Sequence, residues 1–160
     1  MLRRVITCRC AAPPIRVIRV GDWKSEVRVF TRDDVRTFAK LSGDQNPIHV
    51  DDAAARRLGF ERAICHGALV ASMFSDVMAR HLPGPNSVYV HQTLNFTAPV
   101  LVDEEVECIV HVLCFRRDKG MIRMETVVKR TRDGVVAIKG HSIGLNKEVK
   151  LEGESPPWIK

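Results

Sequence analysis

The spacing of hydrophobic and polar residues divides the chain into a helical first half and a β second half. From Ser25 to Phe30, SEVRVF alternates, which predicts a short strand. At Thr31 the period lengthens, and Val35, Phe38, Ala39 and Leu41 fall at helical spacing. Thr31 suits an N-cap, Asp33 and Asp34 load the first turn with negative charge, and Gly43 is placed to stop the helix. After His49, Asp51 or Asp52 can cap a shorter helix that runs through Arg57 and ends at Gly59. The stretch CHGALVASMFSDVMARHLPG then predicts a helix of about 17 residues, roughly 25 Å long. Ala68, Leu69, Val70, Ala71, Met73, Phe74, Val77, Met78 and Ala79 leave it only a narrow polar stripe of Ser72, Ser75 or Asp76, and Arg80. A helix apolar on nearly every side must be enclosed on nearly every side. Pro83-Gly84-Pro85 ends it.

The remainder reads as strands. In SVYVHQTLNFT, Val88, Val90, Leu94 and Phe96 would share one face. Val106–Phe115 is apolar on both faces, as a central strand would be. MIRMETVVKR and VVAIKGHSIGL flank Asp133-Gly134, a hairpin signal, and Lys119-Gly120 marks another turn. The tail EGESPPWIK reads as a loop. The order predicts an α+β fold in which one twisted antiparallel sheet wraps the apolar helix. Such a sheet leaves an edge and a face to cover, so a homodimer is expected.

Composition adds limits. At 160 residues, with 45% hydrophobic and 28% charged residues, the chain fits one globular domain. No window holds the eighteen or so apolar residues of a membrane span. The net charge of +6 suggests an acidic partner, but it sits almost entirely in residues 1–20, which carry five arginines and no acid. That segment has the character of a mitochondrial transit peptide or a disordered basic arm, and the former implies the matrix. The expected organisation is therefore residues 1–20 as leader or arm, 21–150 as one domain and 151–160 as tail. A nearly neutral folded part with 6% aromatics argues against nucleic-acid binding. The five cysteines form no CxxC pair, and no HExxH, GxGxxG or GxxxxGK[ST] pattern occurs, so neither a metal nor a nucleotide cofactor is expected. Cys65 beside His66 is not a nucleophile–base pair, because neighbours in a helix do not face each other; Cys65 reads as a small buried residue and His66 as a capping or packing residue.

The segment LSGDQNPIHVDD carries the candidate chemistry. Gly, Asp, Asn and Pro form turns, so an ordinary chain reversal is one account of it. However, Asn46 before a proline is pushed toward extended geometry, and Pro47 fixes its own φ, so Asp44 and His49 sit on a stiffened segment. Downstream, Gly67 opens the apolar helix, where first-turn amides lack an internal partner and no Cβ hinders approach. A carboxyl, an imidazole and a preorganised amide donor are what enolate chemistry beside a carbonyl requires.

SGDQNPIHV followed by CHGALVASMFS resembles the MaoC-like (R)-specific enoyl-thioester hydratases and 3-hydroxyacyl-thioester dehydratases, and the similarity runs from about Val27 to Leu145. The resemblance implies a hot-dog fold and a dimer with active sites near the subunit interface. It implies Asp44 and His49 as the catalytic pair, the Gly67 amide as oxyanion donor, and Asn46 and Ser75 as hydrogen-bonding supports. The implied substrate is an acyl thioester of acyl carrier protein or CoA, with no cofactor. Arg56, Arg57, Arg62, Arg116, Arg117 and Lys119 could form a basic rim for an acidic carrier or be ordinary solvated charges. A hot-dog thioesterase and a non-catalytic acyl- or RNA-binding module are the rival readings.

Overall fold

The computed structural model describes residues 15–158. Chain order is β1 (Val17–Arg19), β2 (Trp23–Val29), α1 (Arg32–Ser42), α2 (Pro47–Val50), α3 (Asp52–Arg57), α4 (Gly67–Arg80), β3 (Val88–Gln92), β4 (Asn95–Phe96), β5 (Glu105–Arg116), β6 (Met121–Arg130), β7 (Val136–Leu145) and β8 (Lys150–Glu152). Strands β2-β5-β6-β7-β3 form an antiparallel sheet, with β4 also on β7. The sheet curls around α4, whose Val70, Phe74, Val77 and Met78 pack against Val106, Val110, Val112, Ile122 and Met124 in one core. This is the α+β hot-dog arrangement, and transferring these side chains out of water is its main source of stability.

Helix α1 forms as its sequence requires. The Thr31 hydroxyl accepts from the Asp34 amide, and the Asp34 carboxylate accepts from the Thr31 amide, closing a capping box. Those bonds, the backbone one first, hold the Asp34 carboxyl below the usual range. Gly43 ends the helix in the left-handed region at φ 80. Asp51 caps α3 by accepting from the Ala53 amide.

Four expectations need correction. First, β1 lies inside the segment read as leader: Ile18 is fully buried, so the folded region begins before residue 21. The I-R-V-I-R-V run repeats every three residues rather than every two, so no strand alternation marked it, and its arginines dominated its apparent character. The rest of the leader reading falls on residues 1–14, outside the described residues. Second, the tail is not all loop, because β8 pairs in parallel with β1 and Ser155 Oγ accepts from the Phe115 amide at 2.9 Å. Third, the strand expected over 87–97 is two pieces, β3 and β4, with a register shift between Tyr89 and His91. The Thr93 carbonyl crosses β7 so closely that a Cβ on Gly140 would lie 1.9 Å from it. Val88, Val90, Leu94 and Phe96 therefore do not form one regular face, and all four are exposed. Fourth, α4 is 14 residues long and covered mainly on one side; Ala68, Ser72, Ser75, Asp76 and Ala79 are exposed. The small alanines made the apolar face look wider than the surface the sheet covers.

Candidate active site

Short polar side chains shape the backbone between α1 and α2. The Asp44 amide donates to Ser42 Oγ at 3.2 Å, and Asp44 Oδ1 accepts from the Asn46 amide at 3.2 Å. Asn46 Oδ1 in turn accepts from the Ile48 amide at 3.3 Å, and Pro47 occupies the first position of α2. Asn46 thus acts on the loop, N-capping a single helical turn where the sequence had suggested only a turn. His49 stands on that turn.

Two hydrogen bonds stitch α2 to the strand-like segment before α4. The Ile64 amide donates to the Ile48 carbonyl at 3.2 Å, and His49 Nδ1 lies 2.8 Å from the Ile64 carbonyl. A carbonyl only accepts, so Nδ1 carries a hydrogen, and the neutral ring keeps its lone pair on Nε2. That Nε2 lies 3.8 Å from Asp44 Oδ2. The gap is too long for a direct hydrogen bond and short enough for both groups to reach one intervening atom. The His49 side chain is 12% exposed and that of Asp44 52%, so one partner is enclosed and the other is open to solvent.

Gly67 is the first residue of α4, with His66 at the N-cap position and no side-chain cap. Its amide belongs to the set that a helix cannot satisfy internally. A Cβ at Gly67 would lie 2.6 Å from the Phe96 ring, so the glycine also admits an aromatic neighbour. His49, Ile64, Gly67, Val70, Phe96 and Ile138 are among the residues lining an open, mainly apolar cavity of about 560 Å³. An imidazole and the first residue of a helix therefore line one space, and the Asp44 carboxylate lies 3.8 Å from that imidazole. Ser75 is not with them: it lies eight residues beyond Gly67, about 12 Å along α4, on the exposed stripe.

Sequence reading missed His66 and Phe96 here. His66 is 2% exposed, its ring stacks on His49 with centroids 3.8 Å apart, and Phe38 flanks it at 5.1 Å. Its Nε2 donates to the Asp44 carbonyl at 3.1 Å. The packing role expected of it holds, but nothing in the spacing shows that the packing partner is His49. Phe96 was missed because the break between β3 and β4 is invisible in a simple alternation.

Asp44, His49 and His66 also bring donor atoms within 4.8 Å of one another, a grouping that ligand spacing did not reveal. The two rings are stacked at 28°, so their in-plane lone pairs run side by side and do not converge on a common ion. Cys65 lines the same cavity but is 5% exposed. Burial first, then the charges of Asp103 and Glu104, push its thiol up to about 12, which removes the thiolate a nucleophile needs. Of the possible basic rim, Arg116, Arg117 and Lys119 cluster at the β5–β6 turn, at the far end of β5 from Val100 and Leu101, and Arg62 is tied to Glu61 and the Val102 carbonyl.

A family model described as "MaoC like domain" matches residues 22–134. The mitochondrial 3-hydroxyacyl-[acyl-carrier-protein] dehydratase of Arabidopsis thaliana is 34% identical over 142 residues, covering 88% of this chain and 84% of the relative. The (R)-specific enoyl-CoA hydratase of Aeromonas caviae is 39% identical over 126 residues, covering 79% of this chain and 93% of the relative. The solved (R)-hydratase of A. caviae involved in PHA biosynthesis superimposes with a TM-score of 0.77 at 38% identity, covering 80% of this chain and 96% of that structure.

Proposed function

The chain belongs to the MaoC-like domain family, and on that premise we propose that it is a hydro-lyase interconverting (3R)-3-hydroxyacyl thioesters and trans-2-enoyl thioesters. The observation that carries this reading is the placement of His49 Nε2, 3.8 Å from Asp44 Oδ2, on the cavity that Gly67 lines at the start of α4. The C2 proton of the hydroxyacyl thioester is weakly acidic because its anion spreads onto the thioester carbonyl. The Gly67 amide stabilises that oxyanion, a contribution of about 3–4 kcal/mol for a single donor of this kind. Asp44 and His49 divide the two proton transfers: one group takes the C2 proton, and the other hands a proton to the departing C3 hydroxyl. In the hydration direction they activate a water held between them.

Asn46 serves by shaping the loop. Ser75 enters this reading only through a dimer, since it lies on the α4 stripe that one chain leaves uncovered. The homodimer is supported by the exposed Val88, Val90 and Phe96 along β3 and β4 together with that stripe. The Arg-rich segment and the mitochondrial plant relatives favour acyl carrier protein thioesters, mitochondrial fatty acid synthesis and a matrix location. The 39% identity to an enoyl-CoA hydratase favours CoA thioesters as the second reading.

The test is a steady-state assay with matched crotonyl thioesters of CoA and acyl carrier protein. Loss of enoyl conjugation without release of free thiol is expected, faster on the carrier protein. Thiol release without hydration would replace this reading with a thioesterase.

A further inference from the structure

The proposed chemistry uses Asp44, His49 and the Gly67 amide and leaves a nearly inaccessible imidazole at their centre. We infer that His66 is a positioning residue that holds these three groups in one geometry; the inference rests on their assignment as the reacting groups. Its ring is the plate on which His49 lies, at 3.8 Å and 28°. The bond from His49 Nδ1 to the Ile64 carbonyl fixes the direction of that ring but leaves it free to rotate about the bond. Stacking removes the rotation and so fixes where the Nε2 lone pair points. Phe38 of α1 backs the plate at 5.1 Å.

The same side chain holds the acid. His66 Nε2 donates to the Asp44 carbonyl at 3.1 Å, tying the backbone that carries the carboxylate to the start of α4. The peptide unit of His66 supplies the amide of Gly67, and the His66 carbonyl accepts from the Val70 amide at 3.1 Å. One residue therefore touches the acid by a hydrogen bond, the base by its ring face and the oxyanion donor by its backbone. Its Nδ1 is buried without a hydrogen-bond partner. A packing residue gains nothing from such an atom, and an aliphatic side chain would avoid the cost of burying it. Only a ring carrying a donor on its far nitrogen meets both demands.

The test compares crotonyl-CoA hydration by the full-length protein with its variants. His66→Phe keeps a ring for stacking and loses the tie to Asp44; His66→Gln keeps a donor and loses the ring; His66→Ala loses both. His66→Ala should lower kcat by about 100-fold, as expected when reacting groups shift by around an ångström. His66→Phe and His66→Gln should each lower it by about tenfold, with KM for all three within about threefold of the parent. In a His49→Ala background His66→Gln should cost almost nothing further, because the ring it no longer supports is gone, whereas His66→Phe should keep its cost, because the tie to Asp44 is lost in either background. Full kcat in both His66→Phe and His66→Gln, alongside a crippled His49→Ala, would overturn the positioning role and leave the catalytic pair intact. An equal loss of kcat from His66→Gln with and without His49 would also overturn it, by marking a purely structural residue. Near-normal turnover by His49→Ala would remove the pair itself, and the inference with it.

Discussion

The two ends of α4 treat the same problem in opposite ways. A helix leaves amides unpaired at its start and carbonyls unpaired at its finish. At the finish, side chains close the gap: the Arg16 guanidinium donates to the carbonyls of Arg80 and His81. Around it, His81 Nε2 lies 2.7 Å from Glu26, and Arg80 pairs with Asp76. At the start, no side chain caps the helix, and Gly67 opens onto a cavity. Positive charge from Arg16 and Arg80 complements the dipole where only stability is at stake. The amide end has no side-chain cap and lines the cavity. A helix end without a cap is normally a defect, and the proposed chemistry makes this one, beside His49, the oxyanion donor.

Substitutions at either end test that contrast, and the largest effect belongs to the open end. Asp44→Asn and His49→Ala should each reduce kcat by about 10²–10⁴-fold, with circular dichroism and melting temperature close to the parent. A near-normal rate in either would end the acid–base assignment. Gly67→Ala comes next, with a loss of about tenfold, because its amide is kept but the new Cβ must push the Phe96 ring aside at the mouth of the cavity. Adding Phe96→Ala should recover part of that loss, and the same hydration assay reads the rescue.

At the closed end the expected pattern inverts. Arg16→Ala should lower stability by about 1 kcal/mol, the usual scale for a partly solvated charged hydrogen bond, and leave kcat unchanged. Thermal melting and turnover measured side by side would reveal a change in the opposite sense. A subtler effect concerns Asp52, which accepts from the Ala63 amide at 2.9 Å and pairs with Arg32, anchoring the segment that leads into α4. The amide first, and Arg32 second, hold its carboxyl below the usual range. A lowered carboxyl value contributes stability that is complete above the unfolded value of about 4 and is lost as pH falls through the folded one. Asp52→Asn should therefore melt below the parent at pH 7, and the two curves should draw together as pH falls below the unfolded carboxyl value and through the lower folded one. The smallest signal is negative: Cys65 in the native protein should resist thiol reagents and react only on unfolding.

Legibility from sequence followed the range of the forces involved. The capping box at Thr31 and Asp34, the left-handed stop at Gly43 and the turns at Gly120 and Gly134 depend on neighbours within a few residues, and local spacing displayed them. The loop motif pointed to Asp44 and His49 because its stiffness is also local. The stack of His66 on His49 joins positions 17 apart, and β1 meets β8 across more than 130 residues of chain. Periodicity carries no trace of such contacts. Arg16 was misjudged for the same reason: its partners are 64 and 65 positions away, so in sequence it was only one more charge in a basic stretch.

Strand β1 has a consequence for maturation. If a processing peptidase removes the Arg-rich extension, its cut must fall upstream of Arg16. Scission at residue 20 would take a fully buried isoleucine from the core and strip the guanidinium from the last turn of α4. Packing, and not the point where the arginines stop, would set the limit of any such cut.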